Sequence, residues 1–190
     1  MKTKRLTWLG GAVALAAASV AMAAPASAQT VHVSGVQTPV SDSHYTMSGG
    51  LIGDWTGDSF TIRDVQPAKG TLTATGEEHF VGCVDANRSG ACDRRDPAGT
   101  LYFTYTFFAT FDPATGVQLS GRCIHPIVGG TDGFRHASGI LYFEDDLTTG
   151  LSTYVGRVKY RRSDVRQDDK TEMARTRVAN EVSSVRGCAG

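Results

Sequence analysis

The chain of 190 residues carries 19 basic and 19 acidic side chains, and 41% of its residues are hydrophobic. This length and hydrophobic content are typical of one globular domain. There is no excess of basic over acidic residues, and after residue 28 no segment approaches ~20 consecutive apolar residues. We therefore expect neither nucleic acid nor a membrane as a partner.

A secretory signal peptide is predicted at residues 1–28. Met1–Arg5 contains three cations, Leu6–Met22 is uncharged and largely apolar, and Ala26-Ser27-Ala28 supplies the small residues that a signal peptidase accepts. A membrane anchor is disfavoured because the apolar run is short and ends near Pro25. Cleavage before Gln29 would give a secreted, mildly acidic protein of roughly 160 residues.

Strands follow a short N-terminal segment. Residues 29–43 are polar, small and rich in Val, Thr and Pro, and we predict a loose arm or an edge strand there. Alternation in the next two strands places Asp64 on the face of Phe60, and Glu78 on the face of Phe80. Both carboxyl groups therefore stand on faces that are otherwise apolar.

The strongest strand signal is Leu101–Phe111, whose alternate residues are apolar. Its β-branched and aromatic content argues against a helix. A turn leads into a second strand that is predicted to end at Cys123. Pairing Phe111 with Val117 brings apolar residues opposite one another along the hairpin, with Tyr105 beside Cys123, and this is the register that we predict.

A glycine-rich corner is predicted at residues 125–134, where two adjacent glycines allow the chain to reverse. The corner resembles the signature of the allene oxide cyclase/dirigent barrel family, which the chain matches at Pro126, Ile127, Val128, Gly129, Gly130, Thr131, Phe134, Ala137 and Gly139. Asp132 stands where that family usually has glycine. The resemblance spans about residues 45–160 and implies an eight-stranded barrel.

A last hairpin is predicted from Ser138–Phe143 and Leu151–Tyr160. Seven or eight strands joined by short turns can bury one face and remove their edges by closing into a barrel. We therefore predict an all-β fold, an eight-stranded antiparallel up-and-down barrel over residues 44–160. Residues 161–190 are strongly charged and are predicted to form a short C-terminal helix or a tail.

The loop after Cys83 has the spacing of a calcium-binding loop. A glycine stands at its sixth position, and oxygen-bearing side chains stand at five others: Asp85, Asn87, Ser89, Asp93 and Asp96. The last position has Asp where the longer Glu is usual, and three arginines in the loop oppose a dication. Two hypotheses remain, a structural calcium site and a polar turn in which these side chains cap the backbone.

Four cysteines lie beyond the leader, an even number that predicts two disulfides in an oxidising compartment. Cys83 and Cys123 are predicted to end strands that flank a third strand. The distance across two inter-strand gaps is too long for a direct disulfide. We predict Cys83–Cys92, with Cys123–Cys188 as the remaining pair. The alternative is Cys92–Cys123.

The candidate catalytic residues are Glu78 and Asp64, because a carboxyl group in an apolar cavity can act as a general acid or base. The alternative for both is a strand-end position that faces water. Tyr105, Tyr154 and Phe107 fall on predicted inward faces and are candidate ligand-binding residues. The sequence contains no nucleophile elbow, zinc motif or phosphate loop.

These observations predict a secreted barrel that binds a small apolar molecule and requires no cofactor apart from the hypothetical calcium. The family resemblance implies a cofactor-free cyclisation, isomerisation or coupling reaction, and it implies that a homo-oligomer can form. The alternative function is a non-catalytic extracellular module, structural or for recognition, that disulfides stabilise.

Overall fold

The computed structural model describes residues 27–165, which form a closed barrel of eight antiparallel strands and confirm the predicted all-β fold. In chain order the strands are β1 (Ala28–Ser41), β2 (His44–Gly49), β3 (Leu51–Gln66), β4 (Thr71–Val84), β5 (Ala98–Phe111), β6 (Gln118–Gly130), β7 (Ser138–Asp146) and β8 (Leu151–Arg161). Short 3-10 helices occupy Pro67–Lys69 and Asp132–Phe134, and residues 162–165 are helical. No helix in this part of the chain has the length and apolar character needed to cross a bilayer.

Strand β1 closes the barrel. It pairs with β2, where Gly35 lies opposite Gly49, and with β8, where Val31 lies opposite Val158. The prediction of a loose arm or an edge strand at residues 29–43 is therefore wrong, and the barrel begins at β1 instead of at residue 44. The predicted leader falls almost wholly outside the described residues and stays a prediction, as does the tail beyond residue 165.

Large apolar side chains from the inner faces of the strands form the core. Those that are at most 1% exposed include Leu51, Trp55, Phe80, Leu101, Phe103, Phe134 and Leu141. Burying one such side chain contributes about 1.5–3 kcal/mol. Phe134 comes from the connection between β6 and β7, so this connection is packed into the core.

The hairpin of β5 and β6 forms, but its register differs by two residues from the predicted one. Phe107, instead of Tyr105, lies opposite Cys123, and Phe111 pairs with Gln118 instead of Val117. A register irregularity next to Phe111 takes up the difference. Because the shift along most of the hairpin is two residues, the side chains there remain on their predicted faces.

The predicted corner at residues 125–134 begins too early. Strand β6 continues through Gly130, and the chain reverses between residues 131 and 137. Asp132 adopts a left-handed conformation there, with φ of 51°, which Asp tolerates better than most residues. Because the strand extends past the predicted corner, His125 lies within β6 and faces the interior.

Strands β3 and β4 form a long hairpin that extends past the short β2. Strand β2 pairs with β3 only as far as Thr56, whereas β3 pairs with β4 as far as Gln66. Phe60 and Ile62 lie on the inward side of β3 but are 58% and 55% exposed, because no strand covers them there. This end of the interior, next to Gly57, is therefore less enclosed than the core.

Candidate functional site

Glu78 lies on the inner face of β4, and its side chain is 15% exposed. Its Oε2 atom accepts a hydrogen bond of 2.8 Å from Nε1 of Trp55 and lies 2.9 Å from Nε2 of His125. Its Oε1 atom would lie 3.9 Å from a β-carbon placed on Gly57, so the glycine leaves space beside this oxygen. Glu78 faces the interior, as its alternation predicts, and its catalytic role stays a prediction.

His125 is 4% exposed and approaches Glu78 from β6, two strands away. Its Nδ1 atom is buried and has no hydrogen-bond partner within residues 27–165. A carboxylate beside Nε2 favours the tautomer that carries its proton on Nε2, which leaves the lone pair of Nδ1 as an acceptor. The two residues form a dyad, Glu78–His125, in which the carboxylate orients an imidazole with an unused basic nitrogen.

Four aromatic rings surround the imidazole of His125. Their centroids lie 4.5 Å (Phe143), 5.4 Å (Trp55), 5.6 Å (Tyr105) and 6.3 Å (Phe103) from its own. Apolar walls keep water away and strengthen electrostatic interactions inside the site. A charge that forms on His125 is therefore balanced chiefly by the neighbouring carboxylate.

Three further ionisable groups share this space, namely Tyr45 from β2, Cys123 from β6 and Asp145 from β7. Burial raises the pKa of the Tyr45 hydroxyl and of the Cys123 thiol, and the negative charges of Glu78 and Asp145 raise both values further. Cys123 is thereby kept as a thiol, which is a poor nucleophile. The charged side chains of this part of the interior, Glu78 and Asp145, are therefore both carboxylates.

Tyr105 and Phe107 lie on the inner face of β5, as predicted. The Tyr105 hydroxyl donates a hydrogen bond of 3.0 Å to the carbonyl oxygen of Ser59. Burial and then the charge of Glu78 raise the pKa of Tyr105 to about 12. Phe107 is only partly buried, so its ring is the more accessible of the two.

Tyr154, the third predicted ligand-binding residue, also faces the interior, and it is 1% exposed. Its hydroxyl accepts a hydrogen bond of 2.7 Å from the backbone N–H of Leu51 and donates one of 3.0 Å to the carbonyl oxygen of Ser48. The hydroxyl therefore joins β8 to the connection between β2 and β3. Its ring is stacked on that of Phe143, so Tyr154 serves the core of the barrel.

Asp64 lies apart from this site. It is exposed near the end of β3, where it accepts a hydrogen bond of 2.7 Å from Nε2 of Gln66. Register irregularities between Gly57 and Ser59, and directly before Asp64, interrupt the alternation along this strand. The hypothesis that Asp64 occupies an apolar cavity is wrong, and the carboxyl group faces water.

The loop between β4 and β5 is held by its own carboxylates. Asp85 is buried, and its two oxygens accept hydrogen bonds from the backbone N–H groups of Ser89 (2.9 Å) and Gly90 (2.7 Å). Burial alone would raise the pKa of Asp85, but these donors together hold it below its ordinary value. The first residue of the predicted calcium loop therefore caps the loop backbone.

The other predicted calcium ligands make similar contacts. Asp96 is buried and accepts backbone hydrogen bonds from Ala86 (3.1 Å) and Asp93 (3.0 Å), and Asn87 donates to Asp93 (2.7 Å). Across residues 27–165, no group of three or more His, Cys, Asp or Glu side chains is placed to hold a metal ion. The arrangement is that of a self-capped turn, and calcium binding stays a prediction.

Cys83 and Cys92 form the predicted disulfide, with their Cα atoms 5.8 Å apart. This pairing excludes the alternative Cys92–Cys123. Cys123, which is predicted to end a strand, lies within β6 opposite Phe107, and its side chain is partly buried. Because Cys188 lies outside the described residues, the pair Cys123–Cys188 stays a prediction.

Sequence reasoning did not identify His125, Trp55 or Asp145 as site residues. For His125 a signal exists, because Cys123, His125 and Ile127 alternate on one face of β6. The early corner hid this pattern, since Pro126 and the following glycines favour a turn over a strand. Trp55 and Asp145 carry no local signal beyond ordinary strand alternation.

Comparisons of the chain with protein-family models, with curated proteins and with solved structures found no match. The function is therefore argued from the side chains of the barrel interior.

Proposed function

We propose that this barrel binds a small apolar molecule and moves a proton from one atom of that molecule to another, in an isomerisation or cyclisation that needs no cofactor. The observation that carries the proposal is the Glu78–His125 dyad, whose buried Nδ1 atom has no partner in the described chain. The aromatic rings around it would hold the apolar body of the ligand.

The proposed roles follow from the contacts of each group. Nδ1 of His125 removes a proton from the C–H or N–H group of the ligand that reaches it, and Glu78 stabilises the imidazolium that forms. The same proton returns to another atom of the ligand, so no electrons are gained or lost. Trp55 keeps the Glu78 carboxylate in place through its hydrogen bond.

Two further expectations belong to the proposal. Secretion is supported by the predicted leader together with the Cys83–Cys92 disulfide, because disulfides persist in oxidising compartments. Relationship to the allene oxide cyclase/dirigent family is supported by the closed eight-stranded barrel and by the left-handed conformation of Asp132, where that family has glycine.

Proton transfer can be tested before the natural ligand is known. The probe is 5-nitrobenzisoxazole, an apolar ring that opens to a coloured cyanophenolate when a base removes its C–H proton. We expect catalysis above the buffer rate, and a loss of about tenfold or more in both Glu78→Gln and His125→Gln. The matched control is Glu77→Gln, an exposed carboxyl on the opposite face of β4, which should keep the wild-type rate.

Native mass spectrometry of the secreted protein supplies the natural ligand and the oligomeric state in one experiment. A retained apolar molecule would give the substrate class directly. In the 5-nitrobenzisoxazole assay, equal rates for the wild type and for folded Glu78→Gln and His125→Gln would refute the proposed chemistry.

The second candidate function is a non-catalytic extracellular module. It is favoured by the hydroxyls of Tyr105 and Tyr154, both of which bond to backbone and so stabilise the barrel instead of facing a ligand. A protein that binds no apolar probe and leaves 5-nitrobenzisoxazole unchanged would support this candidate over the first.

A further inference from the structure

The inner surface of the barrel carries negative charge without a neighbouring Lys or Arg. Glu78 and Asp145 both point inward, whereas every Lys and Arg side chain within residues 27–165 is exposed. Water-depleted interiors rarely hold carboxylates without a compensating partner. The interior therefore favours a ligand that brings positive charge.

Asp145 is held in place by neutral donors. Its oxygens accept hydrogen bonds from Oγ of Ser152 (2.8 Å) and from Nε2 of Gln118 (3.3 Å). It lies against Gly121, since a β-carbon on this glycine would collide with its carboxylate. Its charge is thus fixed in position and left uncompensated by any cation of the described chain.

Glu78 and Asp145 act on one common space. Asp145 lies against Gly121, Glu78 lies 2.9 Å from His125, and Gly121, Cys123 and His125 alternate along the inner face of β6, so the two carboxylates stand at either end of one stretch of that face. A ligand located between these side chains would meet negative charge from two sides. Its apolar body would contact the rings of Tyr45, Tyr105 and Phe143, and aromatic faces attract cations as well.

A second, independent observation is that Nδ1 of His125 lacks a hydrogen-bond donor in the described chain. The residue is 96% buried, since only 4% is exposed, and its Nδ1 atom has no partner in the described chain. With Nε2 beside Glu78, Nδ1 presents a lone pair and needs an N–H or O–H donor. A protonated amine offers that donor together with the missing positive charge.

We infer that the interior site selects a small apolar molecule with one basic nitrogen, an aliphatic or aryl-alkyl amine in its ammonium form, which donates one N–H to Nδ1 of His125 and whose charge lies between Glu78 and Asp145. This inference rests on the proposed function and specifies its substrate class. An anionic ligand such as a fatty acid is disfavoured, because two like charges face it.

Three probes of matched size test the inference by titration calorimetry on the full chain at pH 7, namely phenethylamine, 2-phenylethanol and phenylacetate. We expect phenethylamine to bind about tenfold more tightly than 2-phenylethanol, and phenylacetate to bind more weakly than either. Glu78→Gln and Asp145→Asn should each weaken phenethylamine about three- to tenfold and leave 2-phenylethanol unchanged. The controls Glu77→Gln and Glu144→Gln neutralise exposed neighbours and should change neither affinity.

The outcomes separate the two proposals. If 2-phenylethanol binds as well as phenethylamine, or if phenylacetate binds most tightly, the amine inference is overturned while the apolar binding site stands. If none of the three probes binds to the folded protein, both proposals are overturned. An equal loss of phenethylamine affinity in Glu144→Gln would show that overall charge, instead of the interior pair, attracts the amine, and would overturn the inference.

Discussion

Removing only one member of the Glu78–His125 dyad should destabilise the barrel. Glu78→Met leaves Nε1 of Trp55 and Nε2 of His125 without their acceptor, and each unsatisfied buried donor costs about 1–3 kcal/mol. His125→Leu leaves a largely buried carboxylate without its partner, which costs about 3–5 kcal/mol. Each single variant is therefore expected to lose about 3 kcal/mol or more.

The double variant Glu78→Met/His125→Leu should be much less destabilised than the sum of the two single variants. It removes both polar groups together, and only the indole N–H of Trp55 is left without a partner. We expect a stability within about 2 kcal/mol of wild type, and a coupling free energy of at least about 2 kcal/mol. Such a result would mean that the dyad contributes little net stability to the barrel.

The assay is equilibrium unfolding in urea followed by far-UV circular dichroism, with the slope of the transition checked for each variant. The matched control is the pair His79–Asp58, whose atoms are 2.8 Å apart, against 2.9 Å in the dyad, but whose side chains are 30% and 43% exposed. Its coupling should stay below about 1 kcal/mol. Additive effects of Glu78→Met and His125→Leu would refute the reasoning.

Four further predictions concern the stability of the barrel, the first three measured by urea unfolding and the last by thermal unfolding. Burial raises the pKa of Tyr154 to about 12, so the native state keeps a proton that the unfolded chain releases near pH 10. The contribution of Tyr154 to stability should therefore fall by about 2–3 kcal/mol as the pH rises from 10 to 12, in addition to the loss from Tyr105, whose pKa is also raised to about 12. Tyr154→Phe should lose about 1–3 kcal/mol at pH 7, because Leu51 loses its acceptor, and should then fall less at high pH. Cys83→Ala/Cys92→Ala should lose about 2–3 kcal/mol by the loop-closure estimate, and the reduced wild type should lose at least as much. EDTA should leave the Tm unchanged, because loop carboxylates already accept backbone N–H groups; a Tm lowered by EDTA and restored by calcium would establish the metal site.

The strand pattern could be predicted from the sequence because side-chain alternation is a local property of a strand. The faces of Glu78, Tyr105, Phe107 and Tyr154 follow from counting residues by twos, and these faces survive a register shift of two residues. The Cys83–Cys92 pair could likewise be chosen from its short separation. Alternation failed for Asp64, because irregularities in β3 and the short β2 changed its surroundings.

Two features depended on contacts between distant parts of the chain. Residues 29–43 carry few large apolar side chains, and β1 is a strand because β8 pairs with it when the barrel closes. The end of β6 was hidden by glycines that suit a turn as well as a strand irregularity. Pairing with β5 and β7 carries β6 past Pro126.

The sequence by itself predicted an all-β barrel, placed Glu78 on the apolar face of its strand, and favoured one of two pairings for the disulfide of the loop after β4. The tertiary structure alone decided that Glu78 meets His125 and that Asp145 faces the same space. These residues belong to β4, β6 and β7; β6 pairs directly with β7, whereas β5 separates β4 from β6, so Glu78 reaches His125 only across the interior of the barrel. The distance between side chains on non-adjacent strands depends on the register of every strand between them. Alternation along one strand shows which face a side chain occupies, but it does not show the register between strands.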